Sequence, residues 1–239
     1  VLQRRAESLS ADGTPSIHCM HSTFFNRLSN RGQPAAAGGK WTTGYNYDYV
    51  RTWTRRVDLF SKQLIVIPIN IDNVHWCLAV ARIGAARNLG NSGRSGSLDG
   101  REGEASAKRI AAVNNGALLY FDSNRIGAGG TRHGQGASQR FATEVLTVLQ
   151  QYFADEWADK HPMAPSLKPW RLKPLGTGTR PGSLPQQNDG SSCGVFMCAF
   201  AEALTRGVQP DELGSAFSSD DVDEFRTLMA ADMMRGAVE

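Results

Sequence analysis

The sequence predicts an α+β fold in which a central mixed β-sheet is flanked by helices. Three apolar segments rich in β-branched or aromatic residues are typical of buried strands, and they cover residues 64–69, 74–83 and 117–121. Apolar residues at helical spacing occur before and after these segments, and the helices they predict would pack on the sheet. A chain of 239 residues can bury a substantial core, so we expect one domain over residues 1–239.

The connections between these strands follow from residues that favour turns. Pro68 lies near the end of the first strand, where a missing N–H donor is tolerable. Residues 70–73 predict a turn into the second strand, which begins next to His75. Residues 170–175, between prolines, predict only a short edge strand.

Four helices are predicted, over residues 18–28, 137–157, 193–206 and 220–235. The last of them begins with acidic side chains, which suit a helix N-terminus. Residues 2–8 also have helical character. The first two helices each carry apolar side chains on one face, namely Met20, Phe24, Phe25 and Leu28 in one and Phe141, Val145, Leu146, Leu149 and Phe153 in the other.

Loops rich in glycine, serine or proline separate these elements. Residues 84–116 contain almost no large apolar side chain and predict a flexible Gly/Ser/Arg-rich insertion between two paired strands. Shorter loops are expected at residues 127–136 and 161–185. A strand, a glycine-rich loop and a helix in this order also occur in nucleotide-binding units, but the phosphate-binding glycine spacings are absent, so we expect no such site.

Composition excludes several classes of partner. A net charge of +3, with no basic run alternating with aromatic residues, gives no reason to expect nucleic acid. The chain has no apolar run long enough for a membrane span and no basic-then-apolar leader, so we expect no membrane contact. Its four cysteines lack the spacing of a disulfide framework, which predicts an intracellular protein.

A metal site and a cofactor are not expected either. His18, Cys19 and His21 are clustered, but no second pair of ligands follows at zinc spacing. We therefore predict no metal and no cofactor. We also expect the protein to be a monomer.

Cys193 is the first candidate for chemistry. A polar turn containing Gly190 runs into an apolar segment at this residue, which predicts that Cys193 begins a buried helix. Unpaired N–H groups and the macrodipole stabilise negative charge there, so a thiol can ionise well below its free pKa of about 8.5. For a cysteine considered alone, a place in the core is the simpler interpretation. The choice depends on partners elsewhere in the chain.

Three further side chains fall at compatible element ends. His75 begins the second strand and Asp122 ends the third, so an imidazole and a carboxylate can meet at one sheet edge. With Cys193 they form a workable triad, in which the imidazole takes the thiol proton and the carboxylate orients the imidazole. Gln187 lies six positions before Cys193, where its amide and the Cys193 backbone N–H would form an oxyanion hole.

Three separated blocks also carry a resemblance to a known family. They read Val-His-Trp at residues 74–76, Tyr-Phe-Asp-Ser at 120–123 and Gln-Asn-Asp-Gly-Ser-Ser-Cys-Gly at 187–194. In this order they resemble the ubiquitin-like-protein-specific cysteine proteases, the enzymes that remove SUMO from proteins. Residues 53–60 are similar to the block before the first core strand in SUMO-directed members. The match covers most of the chain.

The resemblance implies a papain-like fold and a role for each site residue. By it, His75 is the base, Asp122 its orienting carboxylate, Cys193 the nucleophile and Gln187 the oxyanion donor. Trp76 would cover a narrow tunnel that admits only the extended Gly-Gly tail of the modifier. Glycine has no side chain, so an indole can lie close above it. Packing in the core is the alternative for Trp76.

Further substrate-binding residues are expected in the block that precedes the first strand. By the resemblance these are Trp53, Arg55 and Arg56. For the two arginines, a solvated helix face is the alternative interpretation.

Two departures from the family pattern stand out. Family members usually have a tryptophan-containing block before the first helix, whereas this chain starts at Val1, so we expect it to be truncated at its N-terminus. Many members have an acidic residue directly before the cysteine, and here that residue is Ser192. The substitution changes the charge near the thiolate but removes no member of the triad.

The expected activity is hydrolysis after the C-terminal Gly-Gly of SUMO, either to free SUMO from target lysines or to mature its precursor. We expect SUMO or SUMO-conjugated proteins as partners, and a place in the nucleus, the cytoplasm or both. Two alternatives remain open at this stage. One is a protease for another modifier such as NEDD8, and the other is a non-catalytic SUMO-binding module of the same fold.

Overall fold

A computed structural model describes residues 16–29, 44–84, 107–124, 132–175 and 184–235. Residues 1–15 and most of the loop predicted between residues 84 and 116 lie outside this description. The helical character expected for residues 2–8 is therefore not described.

Five strands form one mixed sheet, in the spatial order β1-β2-β3-β4-β5. β1 pairs with β2 in parallel, the β2–β3 and β3–β4 pairs are antiparallel, and β4 pairs with β5 in parallel. The α+β fold with a central mixed sheet is confirmed, and residues 171–175 do lie at a sheet edge. The strands are Ile17–Cys19 (β1), Leu64–Ile71 (β2), His75–Arg82 (β3), Ala117–Phe121 (β4) and Arg171–Leu175 (β5).

Both faces of this sheet are covered, which explains why the central strands are apolar throughout. Successive side chains of a strand point to opposite faces. Ile65 and Ile67 accordingly belong to one buried cluster, whereas Val66 belongs to the other. The sheet therefore separates two cores, and its edge is the place where a strand residue can reach solvent.

The helices that cover the two faces are of unequal length. The long helix Arg132–Lys160 supplies much of the first cluster, and Cys193–Thr205 supplies the centre of the second. No helix in the described ranges is both long and apolar enough to cross a bilayer. We number the helices Phe24–Leu28 (α1), residues 107–114 (α2), Arg132–Lys160 (α3), Cys193–Thr205 (α4), Leu213–Ala216 (α5) and Val222–Arg235 (α6).

The helix predicted over residues 18–28 is wrong in its first half. Residues Ile17–Cys19 form β1, because they pair with Leu64–Val66 of β2 along the sheet edge. The Met20 N–H continues this pairing by donating to the Val66 carbonyl (2.8 Å). Only α1 is helical, and its buried side chains are those predicted to face the core. Strand pairing thus overrides a helical spacing of apolar residues.

The segment predicted as a loop over residues 84–116 contains a helix at its C-terminal end. α2 buries Val113, whose carbonyl accepts a hydrogen bond from the Trp170 indole N–H (2.8 Å). Gly116 follows, and a Cβ there would lie 2.5 Å from the Trp170 ring, so only glycine fits at this contact. The rest of the predicted insertion lies outside the described residues.

The third helix also begins earlier than predicted. α3 starts at Arg132, inside the predicted loop 127–136, and ends at Lys160. The glycines in its first turns lower helix propensity but do not prevent a helix.

Candidate active site

The turn between β2 and β3 places His75 at the end of the sheet where β3 begins. Asp72 and Asn73 adopt positive φ values of 53° and 57°, a left-handed conformation that Asp and Asn tolerate better than most residues. The Asn70 side-chain oxygen accepts the Asn73 N–H (2.9 Å) and closes the turn. His75 is therefore the first residue of β3, half-buried rather than enclosed in the core.

Asp122 meets His75 because β3 and β4 run antiparallel. The start of β3 and the end of β4 therefore lie at the same end of the sheet. The His75 Nε2–H donates to Asp122 Oδ1 at 2.8 Å. The same oxygen accepts the Asn124 N–H (2.9 Å), and the Tyr120 hydroxyl approaches Oδ2 at 3.4 Å. Asp122 is 5% exposed, so these partners compensate for the loss of water around its carboxylate.

Cys193 reaches the same histidine from the other side. It is the first residue of α4, and its thiol lies close enough to His75 to raise the pKa of the imidazole. Since Nε2 of the imidazole faces Asp122, Nδ1 is the nitrogen left for the thiol. The three side chains thus form a chain of contacts in the order carboxylate, imidazole, thiol.

The environment of His75 favours its charged form. Burial lowers the pKa of the imidazole, but the hydrogen bond and negative charge of Asp122, together with the contact to Cys193, raise it by more. The net pKa of His75 lies above its ordinary value of 6.5. An imidazolium next to the sulfur stabilises a thiolate, which is the nucleophilic form of cysteine.

Gln187 lies in the loop before α4 and is fixed by contacts on both sides. Its backbone N–H donates to the Ser123 carbonyl (2.9 Å), and its Oε1 accepts the Ser123 hydroxyl (2.8 Å). Its Nε2 donates to the Asp189 carbonyl (2.7 Å). An amide nitrogen carries two hydrogens, so one remains available to an oxyanion.

Trp76 lies directly against the helix that begins with Cys193. A Cβ built on Gly194 would lie 3.5 Å from Trp76 Cδ1, so the indole edge passes close to the backbone of the first turn of α4. The side chain is only half-buried. Trp76 therefore borders the site instead of filling the core.

The other predicted substrate-binding residues do not touch the triad. Trp53 is 40% exposed and packs against Phe24 of α1, with ring centroids 6.0 Å apart. Arg55 and Arg56 are exposed. Among the residues that the structure describes, no hydrogen bond, ion pair or ring contact joins these three to His75, Asp122 or Cys193. Their part in binding stays a prediction.

Sequence reasoning missed residues that support the site. Ser123 directly follows Asp122 in a block quoted for its resemblance, but its contact to Gln187 spans 64 positions and has no local signal. Asp189 precedes Gly-Ser-Ser, a pattern in which an Asp side chain often bonds backbone N–H groups two or three residues on, and this does indicate its role. Arg226, which donates to Ser192 from α6, gave no sequence signal.

A comparison with family models decides the classification. The model of the Ulp1 protease family, C-terminal catalytic domain, matches residues 1–237. The chain belongs to the Ulp1 protease family. The predicted resemblance is therefore confirmed.

Curated relatives agree with this family. The chain is 26% identical over 200 residues to sentrin-specific protease 2 of Rattus norvegicus, a match that covers 84% of this chain and 23% of that protein. It is 25% identical over 239 residues to ubiquitin-like-specific protease 1A of Arabidopsis thaliana, covering 98% of this chain and 34% of the relative. The chain thus spans about a quarter to a third of these proteins.

Solved structures show the same fold at low identity. The SUMO protease Ulp1 with its catalytic cysteine oxidised to a sulfenic acid has a TM-score of 0.56 and 19% identity, with 100% of this chain and 75% of that chain covered. The C-terminal Ulp1 protease domain in complex with Smt3, the yeast ortholog of SUMO, has a TM-score of 0.50 and 20% identity, with 94% and 69% covered.

Proposed function

We propose that this chain is a cysteine protease that hydrolyses the bond after the C-terminal Gly-Gly of SUMO. The observation that carries the proposal is the position of His75, which bonds Asp122 through Nε2 and contacts the Cys193 thiol. A carboxylate, an imidazole and a thiol in this order perform acyl transfer on unrelated folds. Family membership adds independent support.

The reaction begins with the Cys193 thiolate attacking the carbonyl carbon of the terminal glycine. The bond between that carbon and the amide nitrogen then breaks, and the His75 imidazolium donates its proton to the leaving amine. In the second half, His75 deprotonates a water molecule that hydrolyses the thioester and frees the thiol. Asp122 keeps the imidazole oriented throughout and stabilises its charged form.

Two donors would hold the oxyanion that forms in each half-reaction. The Cys193 N–H lies at the start of α4, where backbone N–H groups have no acceptor within the helix. The Gln187 amide contributes its remaining hydrogen. Removing one such donor typically raises the barrier by about 2.7 to 4 kcal/mol, so Gln187→Ala should slow turnover about 100-fold or more.

Trp76 would select the substrate by excluding side chains. Its indole lies against Gly194, next to the nucleophile, and a bound chain passing beneath the indole would have little room. Only glycine lacks a side chain, so a Gly-Gly tail fits this space.

SUMO is the modifier that the relatives favour. The curated relatives are named sentrin-specific or ubiquitin-like-specific proteases, and one similar fold was solved in complex with Smt3. We infer that SUMO and its conjugates are the partners of this chain, for deconjugation, precursor maturation or both. We also propose that the protein acts in the nucleus, the cytoplasm or both. Imaging a fluorescent fusion in cells tests this location.

The decisive assay compares two modifiers. We expect the chain to hydrolyse a SUMO C-terminal amide fluorophore faster than its NEDD8 counterpart, and Cys193→Ser to abolish both rates. A clear preference for NEDD8 would overturn the choice of modifier. SUMO binding without hydrolysis by a folded sample would instead support the non-catalytic module.

A further inference from the structure

The loop that leads into the nucleophile is organised around Asp189, a residue with no role in the mechanism above. Its Oδ1 accepts two backbone N–H groups, those of Ser191 (2.9 Å) and Ser192 (2.8 Å). Its Oδ2 accepts the Ser192 hydroxyl (2.5 Å). These three donors lie immediately before Cys193, so the carboxylate fixes the backbone at the point where α4 starts.

The same residue is bonded to the predicted oxyanion donor. The backbone carbonyl of Asp189 accepts Gln187 Nε2 at 2.7 Å. One residue therefore contacts both parts of the oxyanion hole, namely the amide of Gln187 and, through Ser192, the backbone that presents the Cys193 N–H. A shift of residue 189 would move both donors together.

Ser192 connects this loop to a separate helix. Its side chain is fully buried, donates to Asp189 and accepts Arg226 Nη2 of α6 at 2.9 Å. A hydroxyl thus bridges a carboxylate and a guanidinium. Hydrogen bonds from Ser192 and from the two backbone N–H groups, together with the Arg226 charge, lower the pKa of the Asp189 carboxyl, so the bridge is charged at neutral pH.

We propose that Asp189, Ser192 and Arg226 form a positioning network that holds the oxyanion hole of this protease in its working geometry. None of the three contacts the reacting atoms, and each acts through Gln187 or the start of α4. The inference rests on the proposed function, because it assigns the network to the oxyanion that forms during peptide hydrolysis. In this chain the acidic group of the loop is Asp189, four positions before the cysteine, and Ser192 directly precedes the cysteine.

A comparison of Asp189→Ala with Asp189→Asn distinguishes a positioning role of Asp189 from a general loss of folded structure. Asp189→Ala removes both acceptor oxygens, so we expect kcat on the SUMO fluorophore to fall about tenfold with KM within about twofold of wild type. Asp189→Asn keeps one oxygen for the two backbone N–H groups, and its kcat should stay within about threefold of wild type. Iodoacetamide alkylation of Cys193 forms no oxyanion, so its rate should change less than about twofold in either variant.

Arg226→Ala has a matched control in the same protein. Arg206 is also an exposed arginine, but it pairs with Glu202 at the far end of α4. We expect Arg226→Ala to lower kcat about threefold and Arg206→Ala to leave it unchanged. Ser192→Ala should lower kcat to a similar extent as Arg226→Ala, because both substitutions break the contact between Asp189 and Arg226 through the Ser192 hydroxyl.

Amide hydrogen exchange at Ser191 and Ser192 tests the network without any substrate. Faster exchange in Asp189→Ala and near wild-type exchange in Asp189→Asn are expected. Unchanged exchange in Asp189→Ala would overturn the network, as would an Asp189→Asn enzyme as slow as Asp189→Ala, or a loss confined to KM. An inactive wild type with the expected exchange pattern would contradict the proposed function and leave the loop organisation standing.

Discussion

Hydrogen bonds to both polar atoms of the Gln187 side-chain amide fix the orientation of that amide in the folded protein. The buried hydroxyl of Ser123 donates to Oε1 (2.8 Å), so the amino group faces away from Ser123 and toward the Asp189 carbonyl. An amide that is already oriented need not reorganise when the oxyanion forms, and such preorganisation is what makes an oxyanion hole effective.

Ser123→Ala should therefore act on turnover through Gln187. We expect kcat on the SUMO fluorophore to fall about three- to tenfold with little change in KM, because one hydrogen bond that orients the donor is lost. Ser215→Ala, which removes a hydroxyl that donates to the Glu212 carbonyl, should have no effect. If Gln187→Ala abolishes SUMO binding instead of slowing turnover, Gln187 is not an oxyanion donor.

The raised pKa of His75 gives a prediction with a definite sign. Asp122→Asn removes the charge that raises the pKa but leaves the burial that lowers it, so the NMR titration midpoint of His75 should move to lower pH. Asp159→Asn, which removes a carboxylate paired with Arg51, should leave the midpoint unchanged. A midpoint that rises or stays constant in Asp122→Asn would contradict this assignment.

The raised pKa of His75 also makes the free energy of unfolding depend on pH. A group whose pKa is raised by folding stabilises the protein fully below its unfolded pKa, about 6.5 for histidine, and loses this effect as pH rises through the folded pKa. The contribution of protonated His75 to the free energy of unfolding should therefore decline as the pH rises above about 6.5.

At the scale of elements, a buried carboxylate on α3 anchors the segment that precedes β2. Glu156 is fully buried and accepts the hydroxyls of Tyr47 (2.7 Å) and Thr54 (2.5 Å). The neighbouring Asp155 accepts the Tyr45 hydroxyl. Trp53 lies next to Thr54, so this anchor also fixes the predicted substrate-facing segment.

Glu156→Ala should destabilise the fold substantially. The change leaves the buried Thr54 hydroxyl and the half-buried Tyr47 hydroxyl without their acceptor and opens a cavity, which together predict a loss of about 2–4 kcal/mol in the free energy of unfolding, measured in urea. Glu144→Ala, on a partly exposed position of the same helix, should change it by less than about 0.5 kcal/mol. An equal effect of both substitutions would contradict the anchoring role.

Elements also show what a single sequence can predict. The strand ends that carry His75 and Asp122 were predictable because apolar runs stop abruptly at polar turns, and so was the start of α4 at Cys193. β1 was missed because its three residues are a strand only through pairing with β2. The contact of Arg226 with Ser192 joins residues 34 positions apart, and no local pattern encodes it.

At the scale of the whole molecule, the site depends on how the sheet and the helix α4 pack together. β3 and β4 bring His75 and Asp122 to one end of the sheet, and α4 packs on one face of the sheet and brings Cys193 to the same place. Phe200 of α4 and Phe121 of β4 fix this packing, with ring centroids 5.8 Å apart. The nucleophile and its base thus belong to different layers, and their contact reports on the intact domain.

The central claim is that Cys193 is the activated nucleophile of a SUMO protease. Burial raises the pKa of Cys19 to about 11 and also raises the pKa of Cys198, so neither thiol is activated. Incubation with SUMO bearing a C-terminal vinyl sulfone, followed by intact-mass and peptide mass spectrometry, tests the claim most directly. We predict one adduct per chain, on Cys193, absent in Cys193→Ser and strongly slowed in His75→Ala. A folded protein that forms no adduct, or forms it on another cysteine, would contradict the claim.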